Sequence, residues 1–139
     1  MNDCYEIVPG KQISGIQLGN TISDIEKAFS SIKKSNNDIA FTGTKFSKYF
    51  VENLSFIYDE NQKKIISISC RDDYQGSYQG ISLGDTLKEL QDKFPDIYWD
   101  DVEEMVLIES IEGIGFTCND HGSNPFLDLE SKIVQISIW

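Results

Sequence analysis

Residues 15–29, GIQLGNTISDIEKAF, and residues 80–94, GISLGDTLKELQDKF, are two copies of one pattern set 65 positions apart. Gly15/Gly80, Ile16/Ile81, Leu18/Leu83, Gly19/Gly84, Thr21/Thr86 and Phe29/Phe94 are identical, and Asn20/Asp85, Ile22/Leu87 and Ile25/Leu90 are near-equivalents. A unit of this size that recurs is an internal repeat. Ile16 and Leu18 flank Gln17 with the alternation of a half-buried strand, and Gly19 marks a turn that needs a positive φ. Thr21 and Thr86 then take the N-cap position, with Asp24 and Glu89 three residues on at capping-box spacing. Ile22, Ile25, Phe29 and Ile32 fall on one helical stripe that Leu87, Leu90 and Phe94 repeat, so helices are expected over about 21–32 and 86–94. Pro95 stops the second, having no amide to donate.

Strand patterns fill the rest of the chain. Residues 4–8 and 13–18 read as short strands, and the polar stretch 33–48 as an irregular connection or one short strand. Tyr49-Phe50-Val51 leads into 53–58, where Leu54, Phe56 and Tyr58 alternate with Ser55 and Ile57. Turn residues 59–63 join this to a strand over 64–70, with Ile66, Ile68 and Cys70 on one face and Ser67 and Ser69 on the other. After the second helix the polar, aromatic segment DIYWDDVEE (96–104) precedes strands at 105–108 and 111–118, in which Ile114 and Phe116 match Leu54 and Phe56. The last strand, KIVQISIW, matches KIISISC: Lys132/Lys64, Ile133/Ile65, Val134/Ile66, Ile136/Ile68 and Ser137/Ser69. An α+β fold follows as the expectation: two tandem helix-plus-antiparallel-strand repeats, about 13–70 and 78–139, forming one sheet of about eight strands with two helices on one face. The second face of that sheet would be open for binding.

At 139 residues and 40% hydrophobic content the chain has enough apolar surface for one core, so a single domain over 1–139 is expected, without disorder. No apolar run nears the roughly 20 residues of a membrane span. MNDCYEIVPG has neither the basic start nor the apolar core of a secretory signal, which points to a cytoplasmic location. Cys4, Cys70 and Cys118 are an odd, widely spaced set without CxxC pairing, as suits buried reduced thiols.

Charge is distributed unevenly. Residues 1–70 hold eight Lys/Arg and eight Asp/Glu, whereas residues 71–139 hold four and fifteen, so the whole net charge of −11 lies in the second half. Its densest part surrounds two aromatics. Tyr98, Trp99, Asp100, Asp101, Glu103, Glu104, Glu109 and Glu112 are therefore the candidate partner-binding residues: carboxylates that speed encounter with a basic surface, and aromatic side chains that anchor it. The bland alternative is a solvated loop that keeps the protein dispersed. Nucleic acid is an unsuitable partner, because its phosphates would be repelled.

Catalytic chemistry finds little support. His121 sits in Asn-Asp-His-Gly-Ser, ordinary turn chemistry, and Asp120, His121 and Ser123 are too close in sequence to assemble a triad. GIQLG and GISLG lack the Lys-Ser/Thr of a P-loop and the third glycine of a dinucleotide fingerprint. Asp72-Asp73, Asp100-Asp101 and Glu103-Glu104 lack EF-hand spacing. No enzyme activity, cofactor or metal is expected.

The repeated Gly-Ile-x-Leu-Gly turn leading into a capped helix and antiparallel strands resembles the tandem small modules of the SmpA/OmlA (BamE) lipoprotein family and of β-lactamase inhibitory proteins, over about residues 13–139. The chain also looks like small acidic immunity proteins of bacterial contact-dependent toxin systems. No lipoprotein leader precedes Cys4, and no residue marks a β-lactamase inhibitor. The resemblance implies a binding module. On it the expected function is an immunity protein that neutralises a cognate toxin with a basic nuclease domain, without membrane association and with a monomer favoured; the alternative is a non-catalytic envelope-assembly module.

Overall fold

The computed structural model describes residues 6–29, 31–34, 39–41, 44–119 and 124–139. In chain order β1 (Ile7–Val8), β2 (Gln12–Ile13) and β3 (Ile16–Gln17) form a small antiparallel meander and lead to α1 (Ile22–Ala28). Then come β4 (Lys33–Lys34), β5 (Ile39–Phe41), β6 (Thr44–Val51), β7 (Leu54–Asp59) and β8 (Lys64–Arg71). The second half opens with the hairpin β9 (Ser77–Tyr78) and β10 (Ile81–Ser82), followed by α2 (Leu87–Lys93). It ends with β11 (Ile97–Asp100), β12 (Met105–Ile108), β13 (Ile111–Cys118) and β14 (Ile133–Ile138). One antiparallel sheet runs in the order β11-β12-β13-β14-β8-β7-β6-β4, with β5 also paired to β6.

The fold is mainly β, which corrects the expected α+β class. Each helix has only seven residues, about 10 Å of rise, against a nine-stranded sheet whose path of eight strands is about 34 Å wide. A repeat of helix plus strands with two helices layered on one face is not what the chain builds. The α1 stripe is cut short because Phe29 leaves helical geometry (φ −131, ψ 138) and becomes the C-cap, donating its amide to Ile25. Phe29 and Ile32 then pack beside the core from outside the helix. Phe94 caps α2 in the same way, before Pro95, and stacks on Tyr78 with ring centroids 5.8 Å apart.

Other boundaries also shift. The strand expected over 13–18 is broken by the two-residue turn Ser14-Gly15 (φ 54 and 84), and Gln79-Gly80 (φ 48 and 86) makes the same turn between β9 and β10. Two successive left-handed residues are what a type I′ hairpin demands. Residues 49–58 are two strands, because Glu52 takes φ 53 in the tight turn between β6 and β7. Residues 97–100, read as a polar segment, are the edge strand β11. Cys4 and the 120–123 segment with Asp120, His121 and Ser123 lie outside the described residues.

What recurs between the halves is a hydrogen-bonding scheme. Both capping boxes form, Thr21 with Asp24 and Thr86 with Glu89. The Gly19 amide donates to the Ile65 carbonyl (2.8 Å) and the Ile65 amide to Asn20 (2.9 Å), while Gly84 and Asp85 hold Ile133 identically (2.8 and 2.8 Å). Each last strand carries a bulge just beyond that clamp. Tyr58 pairs with Ile65 but Ile57 with Ser67, leaving Ile66 as the extra residue; Cys118 pairs with Ile133 but Thr117 with Gln135, leaving Val134. The bulge reverses the alternation locally, so Ile65 and Ile133 turn into the core although Ile66 was expected there.

At the middle of the sheet β8 and β14 pair with Ile136 opposite Cys70, Ser137 opposite Ser69 and Ile138 opposite Ile68. The two serine hydroxyls meet at 2.7 Å. Phe56 faces Ile68 on one side and Phe116 faces Ile136 on the other, both phenyl rings fully buried. Inward positions of the sheet join Ile7, Ile13, Ile16, Ile25, Leu87 and Leu90 in one core. Cys70 and Cys118 are both buried, and burial pushes the Cys70 thiol up to about 12.

Two stability results are expected from these positions. Phe56→Ala and Phe116→Ala should each cost about 3–5 kcal/mol in chemical denaturation, whereas half-buried Phe29 and Phe94 should lose about 1–2 kcal/mol on the same change. Gly19 and Gly113 both have positive φ (92 and 83), but a Cβ on Gly19 meets open space while one on Gly113 lies 2.9 Å from the Gly10 nitrogen and the Trp139 carbonyl. Gly19→Ala should therefore cost about 1–2 kcal/mol, the left-handed penalty alone, and Gly113→Ala clearly more. Equal losses would contradict the close backbone approach.

Candidate partner-binding surface

Four of the acidic candidates, Asp100, Asp101, Glu103 and Glu104, lie on the edge hairpin β11–β12, while Glu109 falls in the turn after it and Glu112 on β13. The hairpin is tied at both ends. At its base the Asp96 carboxylate accepts the Ser110 amide at 2.8 Å and its carbonyl accepts the Glu109 amide at 3.1 Å. The Ser110 hydroxyl and amide hold the Asp96 carboxyl below the usual aspartate range. At its tip Asp100 accepts the amides of Val102 (2.9 Å) and Glu103 (3.2 Å) on one oxygen, while Glu104 takes φ 57 and donates its amide to the Asp100 carbonyl at 2.8 Å. Aspartate suits this position because its short carboxylate reaches amides two and three residues on.

Geometry divides the eight candidates. Trp99 is paired with Val106 and packs on the core side, so it is unavailable as an exposed anchor. Tyr98 is paired with Leu107 on the opposite face and is exposed. Asp101, Glu103 and Glu104 crowd the exposed hairpin tip beside Val102, which is 88% exposed. Glu109 and Glu112 are exposed too, but at the other end of β12. Among the described residues none of Asp100, Asp101, Glu103 and Glu104 makes an ion pair; the pairs present are Lys34–Glu60, Arg71–Asp72 and Lys88–Asp92.

The hairpin tip is also the rim of a groove that sequence reasoning did not place. Ser55, Ser69, Ser137, Gly115, Leu107 and Tyr98 stand directly opposite one another on successive strands, and so share the second face of the sheet. Small side chains in the centre leave a depression of about 520 Å³. Its floor is Ser67, Thr117, Gln135 and Ser137; one wall is Met105, Leu107 and Trp139; Asp100 and Glu103 close one end. The wall depends on Gly115. A Cβ there would come within 2.9–3.0 Å of Met105 Sδ, Leu107 Cδ2 and the Trp139 ring, so the missing side chain lets all three settle on the strand. A sequence signal existed in the alternation of serines with buried isoleucines, but strand order was needed to bring these residues together.

No protein-family model matches this sequence, and no curated protein matches it. Among solved structures the chain is similar to the crystal structure of the uncharacterized protein yfeY from Escherichia coli, with a TM-score of 0.66, 12% identity, and coverage of 94% of this chain and 97% of that one. At this identity the likeness shows the fold alone. Among the described residues no helix is long and apolar enough to cross a membrane.

Asp24 and Asp96 set an acid limit. Asp24, bonded to the Thr21 amide and hydroxyl, is also held below its ordinary value of 3.8. A carboxylate with a lowered folded-state pKa adds stability that is complete above its unfolded value and disappears as pH falls through the folded one. Thermal unfolding should therefore show a loss of stability beginning below about pH 4, and Asp96→Asn should flatten it. An unchanged acid limb in Asp96→Asn would show that the Ser110 clasp contributes nothing.

Proposed function

We propose that this chain is an inhibitory binding protein of the immunity type, which neutralises a cognate toxin by docking its acidic hairpin and the adjoining open sheet face on a basic domain. The observation that carries the reading is the unpaired carboxylate group at a fixed hairpin tip, in a half of the chain whose fifteen acidic residues face only four basic ones. Carboxylates without internal partners keep their full field for a second molecule, and charges at the rim of an interface chiefly raise the association rate. The open face beside them supplies what charge alone cannot: Tyr98 and Trp139 are exposed aromatics that gain by desolvation. Covering a cationic substrate surface is sufficient to block a nuclease, so no catalytic group is required. The resemblance to acidic immunity proteins agrees with this reading, and with action in a bacterial cytoplasm.

The test begins with the protein encoded next to this chain in its native locus. Co-expression should give a stable complex on size exclusion and protect cells from that neighbour; absence of both sinks the proposal. Within the complex, Asp101→Lys, Glu103→Lys and Glu104→Lys together should slow association at least tenfold and weaken its salt dependence. Asp100 is left intact because it builds the turn. Tyr98→Ala should instead speed dissociation, on the order of tenfold for a hot-spot residue. Reversal of Asp24 and Glu26 in the electroneutral half is the control and should leave both rates unchanged.

A further inference from the structure

We infer that the groove on the open sheet face is a receptor for one lysine or arginine side chain presented by the basic partner. This rests on the docking reading above and names what the partner inserts. The chemistry of the lining is that of a long cation. Carboxylates of Asp100 and Glu103 stand at one end, and Met105, Leu107 and Trp139 form an apolar, aromatic wall leading to them. A methylene stem packs on such a wall while its charged head reaches the acids, and an indole face attracts the cation further. Asp100 uses one carboxylate oxygen for the Val102 and Glu103 amides, so the group is held in place before any ligand arrives.

The chain's own cations do not occupy the site. Among the described residues no Lys or Arg lines the groove. Two cations on this face are held on Phe50: the Arg71 guanidinium is 5.0 Å from that ring and the Lys48 ammonium 5.4 Å, with Asp72 also 3.8 Å from Arg71. Three strands separate Arg71 on β8 from Asp100 on β11, about 19 Å at ordinary strand spacing. The acidic end thus carries negative charge that no cation of the groove lining offsets, and a partner's side chain matches it. An anionic or purely apolar ligand would bury these carboxylates against nothing favourable.

The experiment titrates the full ¹⁵N-labelled chain with acetyl-Gly-Lys-Gly-amide, its arginine counterpart and the neutral glutamine counterpart, following chemical shifts. A saturable response at the Trp139 indole and the Thr117 and Gln135 amides is expected with the two cationic peptides, and at least tenfold weaker binding with glutamine. Glu103→Gln should reduce the affinity several-fold. Thr117→Lys, which places an ammonium inside the groove, should abolish the response; if that variant does not fold, Glu103→Gln decides. Shifts confined to Asp101 and Glu104, or an equal response to the glutamine peptide, would overturn the inference. The two readings fail separately: a toxin complex unaffected by Thr117→Lys removes the groove and leaves the acidic docking, whereas saturable peptide binding without any toxin complex removes the docking and leaves the groove.

Discussion

The antiparallel seam between β8 and β14 is the contact on which the rest of the sheet depends. It joins the two halves through a register in which Ser69 meets Ser137 and each isoleucine or cysteine beside them points into the core. Side chains alternate along a strand, so a slip of one residue would turn both serines toward the core and Ile68, Cys70, Ile136 and Ile138 away from it. Burying each such side chain is worth about 1.5–3 kcal/mol, far more than one hydroxyl pair. The apolar side therefore sets the register, and the serine hydrogen bond follows from it.

From that seam the same constraints run outward in both directions. Each central strand carries a bulge at an equivalent place, and each bulge presents a backbone segment that a glycine turn clamps. The glycines are needed there because Gly19 and Gly84 have φ 92 and 94. The clamp in turn fixes where each helix begins, and the capping box completes it. A short helix suffices for this role. Its buried residues, Ile25 in α1 and Leu87 and Leu90 in α2, plug the core rather than roof it.

The two faces of the sheet have different consequences for function. On the inner face large residues make one continuous core. On the outer face serines and Gly115 keep the centre low, while Phe50 with its two cations and the Trp139 wall rise on opposite sides. Lys48 and Arg71, one cation from each half, are thus held on an aromatic ring, while the hairpin tip of the acidic half makes no ion pair among the described residues. With a screening length of about 8 Å at physiological salt, these tip carboxylates act mainly on whatever comes into near contact.

Much of the local structure was legible in the sequence. Turn glycines, both capping boxes, the β7–β8 hairpin, the equivalence of Ile68 with Ile136 and of Phe56 with Phe116, and the charge divide between the halves all depend on neighbours within a few residues or on direct comparison of the copies. Helix length was not legible, because Phe29 and Ile32 continue an apolar period that serves equally well outside a helix. Nor was the turn at Glu52, where an ordinary side chain takes a left-handed conformation that only its strand partners enforce. Trp99 looked like Tyr98 in sequence, yet edge pairing with Val106 turned it inward and left Tyr98 outside. The groove was wholly a product of tertiary structure: Ser67, Met105, Thr117, Gln135 and Trp139 belong to four strands and the residue after one of them, and only sheet order and register place them around one depression. The sequence by itself determined which residues cap, turn and alternate, since those are short-range choices of backbone and side chain. Tertiary structure decided which alternating face met which, since strand pairing joins residues that no local preference can relate.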